Sequence, residues 1–249
     1  MKVAAYQAPL LPSGSMAAVE LIRRRVEQCE AAGVEILCCP EAVLGGLADY
    51  AARPAEFALE VESGQLRTVL APLASDTVTT ILGFTELSAG QLYNSAAVFQ
   101  RGAVAGLYRK LHPAIRKSIY RAGDRTPVFT VGGLTFGIVI CYDSNFPEPA
   151  RLMASQGATA LFVPTNNGLP LERANVGGDA RKADIARARE NSVWVIRADV
   201  AGRRGDLVSY GSSGIVDPEG TVLQSAQRLT EGLLVAELET ATLRSDLVL

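Results

Sequence analysis

The chain has 249 residues, 24 Lys plus Arg against 26 Asp plus Glu, and a hydrophobic fraction of 48 %. That is enough apolar material for a substantial core, and a near-zero net charge without basic or acidic blocks argues against nucleic acid or an anionic membrane surface as the main partner. No run of about 18 apolar residues exists to span a membrane, and Gln7 and Pro9 interrupt the start before a signal-peptide core could form, so a cytoplasmic protein is expected.

Residues 2–7 read as a first strand, broken by Pro9, Pro12 and Gly14. Ser15 can cap a helix whose apolar positions Ala18, Leu21, Ile22 and Val26 recur at helical spacing, with Gly33 as its stop. Residues 34–39 form a second apolar strand ending in Pro40 and Glu41, so a β-α-β unit opens the protein. Glu41 sits just past a strand end, where a charged side chain either faces a cleft or is simply solvated. Residues 44–58 contain Gly45, Gly46 and Pro54 and read as loop wall, with 44–50 expected beside a pocket. Ser63 can cap a helix running to about Ala74, which Pro72 should kink or shorten. Residues 77–85, 93–99 and 104–108 follow as three strands, the last two joined by a turn at Arg101 and Gly102. Lys110 comes directly after the third, where a lysine taken alone is usually solvent-facing, and 113–126 are polar and irregular.

Residues 135–140 are β-branched and apolar, the pattern of a fully buried strand, and Cys141 follows at once ahead of a polar turn and Pro147. A strand-to-turn junction holds a side chain on rigid scaffold with its tip open, which suits a nucleophile, although a free cysteine beside Val and Ile is more often a small core residue. Pro147 fits the first turn of a helix reaching about Gln156. Then come a strand at 158–164, the polar loop Thr165, Asn166, Asn167 and Gly168, a helix at 179–191, and strands at 193–200, 209–216, 221–225 and 233–238. A tight turn is expected at 217–220. These strands are too many for one doubly wound sheet, whereas two sheets packed face to face with helices outside would absorb them. With no repeat, low-complexity tract or linker, one domain over 1–249 is expected.

The four cysteines, at 29, 38, 39 and 141, have the spacing of neither a disulfide framework nor a CxxC site, and all are expected reduced. His112 is the only histidine and no His or Cys cluster is available, so no zinc or iron site is expected. No cofactor is expected either. Glu41, Lys110 and Cys141 stand at three strand ends. A thiol with a free pKa of about 8.5 needs a cation beside it or a base to take its proton, and Lys110 and Glu41 could supply one each.

These residues and their surroundings resemble the nitrilase, or carbon-nitrogen hydrolase, superfamily. The matching segments run in order along the chain: VAAYQAPL, LCCPEAVLGG around Glu41, GFTE, YNSAAVF, YRKLHP around Lys110, GIVICYDSNFPEPARLMASQGA around Cys141, RARENSVWVI and GSSGIVDPEG. The resemblance implies an α/β fold of the αββα sandwich type, homodimers or larger assemblies, no metal, and a Glu-Lys-Cys triad. Carried over, Cys141 is the nucleophile, Glu41 the general base and later acid, and Lys110 the oxyanion stabiliser, with the backbone N–H of Tyr142 as second donor. Tyr142, Asn145, Thr165, Asn166 and Asn167 are the expected substrate-binding residues.

Two departures stand out. Many relatives carry a second glutamate in the loop after the lysine, near position 116, whereas this chain has Arg116 and no acid between Lys110 and Gly123. Arg116 or Lys117 could instead meet an anionic substrate group. Asn145 stands where many relatives have a basic residue. Tyr142-Asp143 after the cysteine resembles the amidase-type branches rather than the Trp-Glu of nitrile-hydrolysing members; Asp143 is read only as a cap of the next turn. The expected function is hydrolysis of a small linear amide or N-carbamoyl compound, with a nitrilase or a catalytically silent binding protein as alternatives. A redox sensor built on Cys141 would lack a resolving cysteine identifiable by spacing.

Overall fold

Strand β1 (Lys2–Pro9) is buried on both faces, and the two cores it separates define the layers. Its residues alternate: Val3 and Ala5 point into one hydrophobic cluster, Ala4, Tyr6 and Ala8 into the other. The computed structural model describes residues 1–114, 117–174 and 178–239. Among them β1 belongs to a nine-stranded sheet with β2 (Ile36–Cys38), β3 (Thr79–Ser88), β4 (Gln91–Gln100), β5 (Ala103–Arg109), β9 (Leu169–Pro170), β11 (Val200–Arg204), β12 (Leu207–Ser209) and β15 (Gly232–Glu237). The six-stranded second sheet holds β6 (Val128–Val131), β7 (Leu134–Ile138), β8 (Ala160–Pro164), β10 (Trp194–Ala198), β13 (Gly214–Val216) and β14 (Val222–Ser225).

Both sheets are mixed. Strands β1, β2 and β3 run parallel, as do β7, β8 and β10, while β4, β5, β6, β13 and β14 pair antiparallel at the flanks. Helix α1 (Ala18–Ala32) covers the outer face of the larger sheet with Ala18, Ile22, Val26 and Cys29, joined by Leu66 and Leu70 of α2 (Gln65–Leu70). Helices α3 (Pro147–Ser155) and α4 (Gly178–Asn191) cover the smaller sheet, placing Ala150, Met153 and Ala188 in its core. The result is the αββα sandwich, with parallel strand ends of both sheets meeting at one rim. Among the described residues no helix is long and apolar enough to cross a membrane.

Local chemistry shifts several expected boundaries. Ser15 Oγ accepts the Ala17 N–H at 3.2 Å, so it caps the turn before α1 rather than the helix, which starts at Ala18. Helix α2 stops at Leu70 and tightens into a 3-10 turn over Ala71–Leu73 that contains Pro72. The apolar stretch at 193–200 is two strands: the chain leaves the six-stranded sheet after Ala198 and enters the nine-stranded one at Val200, with Asp199 as the crossing point. Residues 209–216 make the return crossing between β12 and β13. Short β6 and β9 carry no strong period-2 pattern and were not expected.

Candidate active site

Glu41 follows β2 in a turn whose next residue, Ala42, has φ 44°, a left-handed conformation that few side chains adopt. The turn lies directly on β3. The Gly83 N–H donates to the Pro40 carbonyl at 3.1 Å, and a Cβ at Gly83 would lie 2.3 Å from the Ala42 nitrogen and 2.6 Å from the Glu41 Cα. Only glycine lets the turn seat there.

Lys110 follows β5, its N–H donating to the Asn94 carbonyl on β4 at 2.8 Å. Lys110 Nζ donates to Glu41 Oε1 at 2.6 Å and Asn94 Nδ2 to the same oxygen at 2.7 Å, while the Asn166 N–H donates to Oε2 at 2.9 Å. Three donors thus converge on a carboxylate that is 1 % exposed. Burial alone would lower the Lys110 pKa, but the Glu41 carboxylate, together with Cys141 and Asp143, holds the ammonium above its ordinary value. Lys110 stays charged.

Cys141 follows β7 with φ 46° and opens a 3-10 turn over Cys141–Asn145 that leads into α3. It is half-buried, unlike the fully buried Cys29, Cys38 and Cys39, and none of the four is in a disulfide. Burial first, and then the Glu41 carboxylate, push its thiol up to about 12, with Lys110 and Arg197 pulling the other way. The resting group is therefore the thiol, and attack requires a base to take its proton.

Glu41, Lys110 and Cys141 all line one cavity of about 180 Å³. Asn94, Tyr142, Asn166 and Asn167 join them, and Leu47, Tyr50, Pro113, Ala114, Tyr120 and Leu169 make the rest mostly apolar. Asp49 also lines it, its oxygens accepting from Ser118 Oγ at 3.0 Å and the Ile119 N–H at 2.9 Å. A second carboxylate, besides that of Glu41, thus comes from the 44–50 segment; Arg116 lies outside the described residues.

Two expected binding residues are elsewhere. Thr165 is fully buried: its Oγ1 donates to the Val163 carbonyl and accepts from Arg197, and its carbonyl accepts the Glu41 N–H at 3.3 Å, so it supports the base from behind. Asn145 is exposed at the end of the 3-10 turn and is not part of the cavity lining. Conversely, Leu44 of the expected wall belongs to the core under α1.

Buried charges behind the cavity went unread in the sequence. Arg197 on β10, 1 % exposed, pairs with Asp184 of α4 and donates to Thr165 Oγ1 at 2.6 Å and Ser144 Oγ at 2.9 Å. Ser144 Oγ in turn donates to the Cys141 carbonyl at 2.8 Å, so the ion pair braces the cysteine turn. Asp199 accepts from the N–H and Nδ2 of Asn167 at 3.0 and 2.8 Å and from Ser212 Oγ, fixing the cavity wall at the sheet crossing. The available signal was charge inside an apolar strand, Arg197 and Asp199 in WVIRADV. Among the described residues, no group of three or more His, Cys, Asp and Glu side chains is placed to hold a metal ion.

Fold and cavity together define an αββα protein with a carboxylate, an ammonium and a thiol at the rim where its sheets meet. The chain belongs to the carbon-nitrogen hydrolase family, whose model matches residues 2–246. It is 35 % identical over 193 residues to a nitrilase of Pyrococcus abyssi, covering 76 % of this chain and 71 % of that one. It is 34 % identical over 218 residues to an (R)-stereoselective amidase of a Pseudomonas species, covering 86 % and 77 %. Among solved structures it is similar to a mutant of the amidase from Nesterenkonia sp. AN1 that carries the product of Michael addition of acrylamide at its active-site cysteine. That match has a TM-score of 0.80 and 27 % identity, over 96 % of this chain and 93 % of the other.

Proposed function

We propose that this carbon-nitrogen hydrolase is an amidase acting on a small linear amide or N-carbamoyl compound through a thioester on Cys141. The observation that carries the reading is the Lys110–Glu41 contact of 2.6 Å, buried and facing the same cavity as the thiol. Amidase relatives and N-carbamoylputrescine amidases of plants, the latter 32 % identical over 183 residues in Solanum tuberosum, support the substrate class. The modest, largely apolar cavity suits a small substrate.

The Cys141 sulfur attacks the carbonyl carbon as its proton passes to Glu41. Lys110 spends one of its three N–H donors on Glu41, leaving two for the developing oxyanion, which the Tyr142 backbone N–H also meets. The C–N bond then breaks as Glu41 returns the proton to the leaving nitrogen, releasing ammonia. Glu41 next deprotonates a water that attacks the thioester, and the sulfur leaves and recovers its proton. Tyr142, Asn166 and Asn167 orient the substrate.

On this reading the chain is one domain over 1–249, cytoplasmic with reduced thiols, and a homodimer or larger assembly. Its unpaired cysteines and the exposed Val222 and Leu223 on edge strand β14 support that picture.

The test is ammonia release from a panel of small amides, N-carbamoyl amino acids and nitriles, with Cys141→Ala as control. Turnover of amides or carbamoyl compounds that vanishes in the variant is expected. Turnover of nitriles without the matching amides would make it a nitrilase, and silence across the panel would make it a binding protein on this fold.

A further inference from the structure

Asp143 is fully buried two residues after the cysteine, yet most of its partners lie on β5 of the other sheet or in the segment that follows it. Its Oδ2 accepts from the Ile140 N–H at 3.2 Å, from Tyr108 Oη at 2.7 Å and from the Leu111 N–H at 3.3 Å. Its Oδ1 accepts the His112 N–H at 2.8 Å and lies 3.1 Å from His112 Nδ1, whose ring stacks on Phe146 with centroids 3.8 Å apart. Ile140 directly precedes Cys141, two residues past the end of β7; Tyr108 is on β5, and Leu111 and His112 directly follow Lys110. A residue that only capped its own turn would need the Ile140 N–H alone. One carboxylate here fastens the backbone on both sides of the sandwich next to the two groups that must meet at the carbonyl.

We infer that Asp143 is a positioning residue that sets where Lys110 stands relative to Cys141. This rests on the roles given above to those two residues. A charged acceptor shared by several donors is stronger and more directional than neutral bonds, and this one is fully buried. Burial, and then Asp143 itself, keep the Tyr108 phenol well above its ordinary pKa, so Tyr108 remains a donor. Losing the carboxylate frees the segment after Lys110 from the cysteine turn, and small displacements of a positioned group cost on the order of 10²-fold in rate.

The experiment compares the unmodified protein, Asp143→Asn, Lys110→Met and the double variant by kcat and KM on the best amide, thermal midpoint, and alkylation of Cys141 by iodoacetamide at pH 8. Asp143→Asn keeps the shape but loses the charge and one acceptor oxygen. A fall in kcat of about 10²-fold with KM within about threefold is expected. Alkylation should slow in each single variant and be no slower in the double variant than in Lys110→Met, because Asp143 acts through Lys110. A folded Asp143→Asn protein with unchanged kcat and alkylation, or costs that multiply in the double variant, would overturn the inference. Should Asp143→Asn not fold, Tyr108→Phe deletes a single donor to the carboxylate; kcat should fall about three- to tenfold with KM unchanged, and an unchanged kcat would overturn it. Alkylation of Cys141 no faster than of Cys29 in the unmodified protein would remove the catalytic reading and this inference together. Fast alkylation that Asp143→Asn leaves alone would remove only the inference.

Discussion

Lys110 Nζ donates to Glu41 Oε1 across 2.6 Å, with the two side chains 4 % and 2 % exposed. Desolvating both charges costs several kcal/mol that their attraction only roughly offsets, so such a pair is a poor device for stability alone. Its orientation toward the cavity that also holds Cys141 is what gives it a use.

Glu41→Gln removes one charge and leaves the other buried. Unfolding in urea should show a loss of about 3–5 kcal/mol, and ammonia release should fall by at least about 10³-fold. Adding Lys110→Met should recover much of the stability and none of the activity. Equal stability of the single and double variants would contradict the pairing.

Gly83→Ala adds one methyl group where there is no room, 2.3 Å from the Ala42 nitrogen. The backbone of the Glu41 turn has to move. A stability loss of about 1–3 kcal/mol and a fall in kcat on the order of 10²-fold are expected, larger than any change in KM. Full activity in a correctly folded variant would show that the turn can shift without displacing the carboxylate.

Stability should decline from about pH 9 upward. Burial, with nearby carboxylates, holds the thiols of Cys29 and Cys141 near 12 in the folded chain against 9.0 ordinarily. Between those values the unfolded chain has lost protons that the folded one keeps, so the unfolded state gains as pH rises; the contribution is intact below 9. Lys110, raised above 10.5, adds a decline of the same sign at higher pH. Each group contributes a slope of about 1.4 kcal/mol per pH unit, and Cys141→Ala should remove one such share from urea unfolding measured between pH 9 and 11. An unchanged slope would mean that the thiol ionises in the folded chain as readily as in the unfolded one.

The layer architecture was legible because parallel strands buried on both faces read as continuous apolar runs, as in 34–39 and 135–140. Glu41, Lys110 and Cys141 were legible as single residues just past such runs, and quoted family segments surround each. What escaped depends on contacts between distant segments. Asn94 sits in the middle of β4, and nothing in YNSAAVF says that its amide faces Glu41, 53 residues away. Asp143 looked like a turn cap since its Ile140 partner is local, whereas Tyr108 on β5 and Leu111 and His112 just past it are 31 to 35 residues away in the chain. Thr165 and Asn166 are adjacent in one polar loop, yet alternation along the chain turns one to Arg197 and the other to the cavity. The sheet crossing at Asp199 was hidden inside an apolar stretch that reads as one strand.

The most direct test of the account is the covalent state of Cys141 during turnover. The protein is mixed with a good amide, quenched in acid within the steady state, digested and weighed by mass spectrometry. The peptide carrying Cys141 should gain the mass of the substrate's acyl group, hydroxylamine should remove it as the hydroxamate, and Cys141→Ala should show neither adduct nor ammonia. Ammonia release that persists in Cys141→Ala, or an acyl group found on a different residue, would contradict the thioester mechanism.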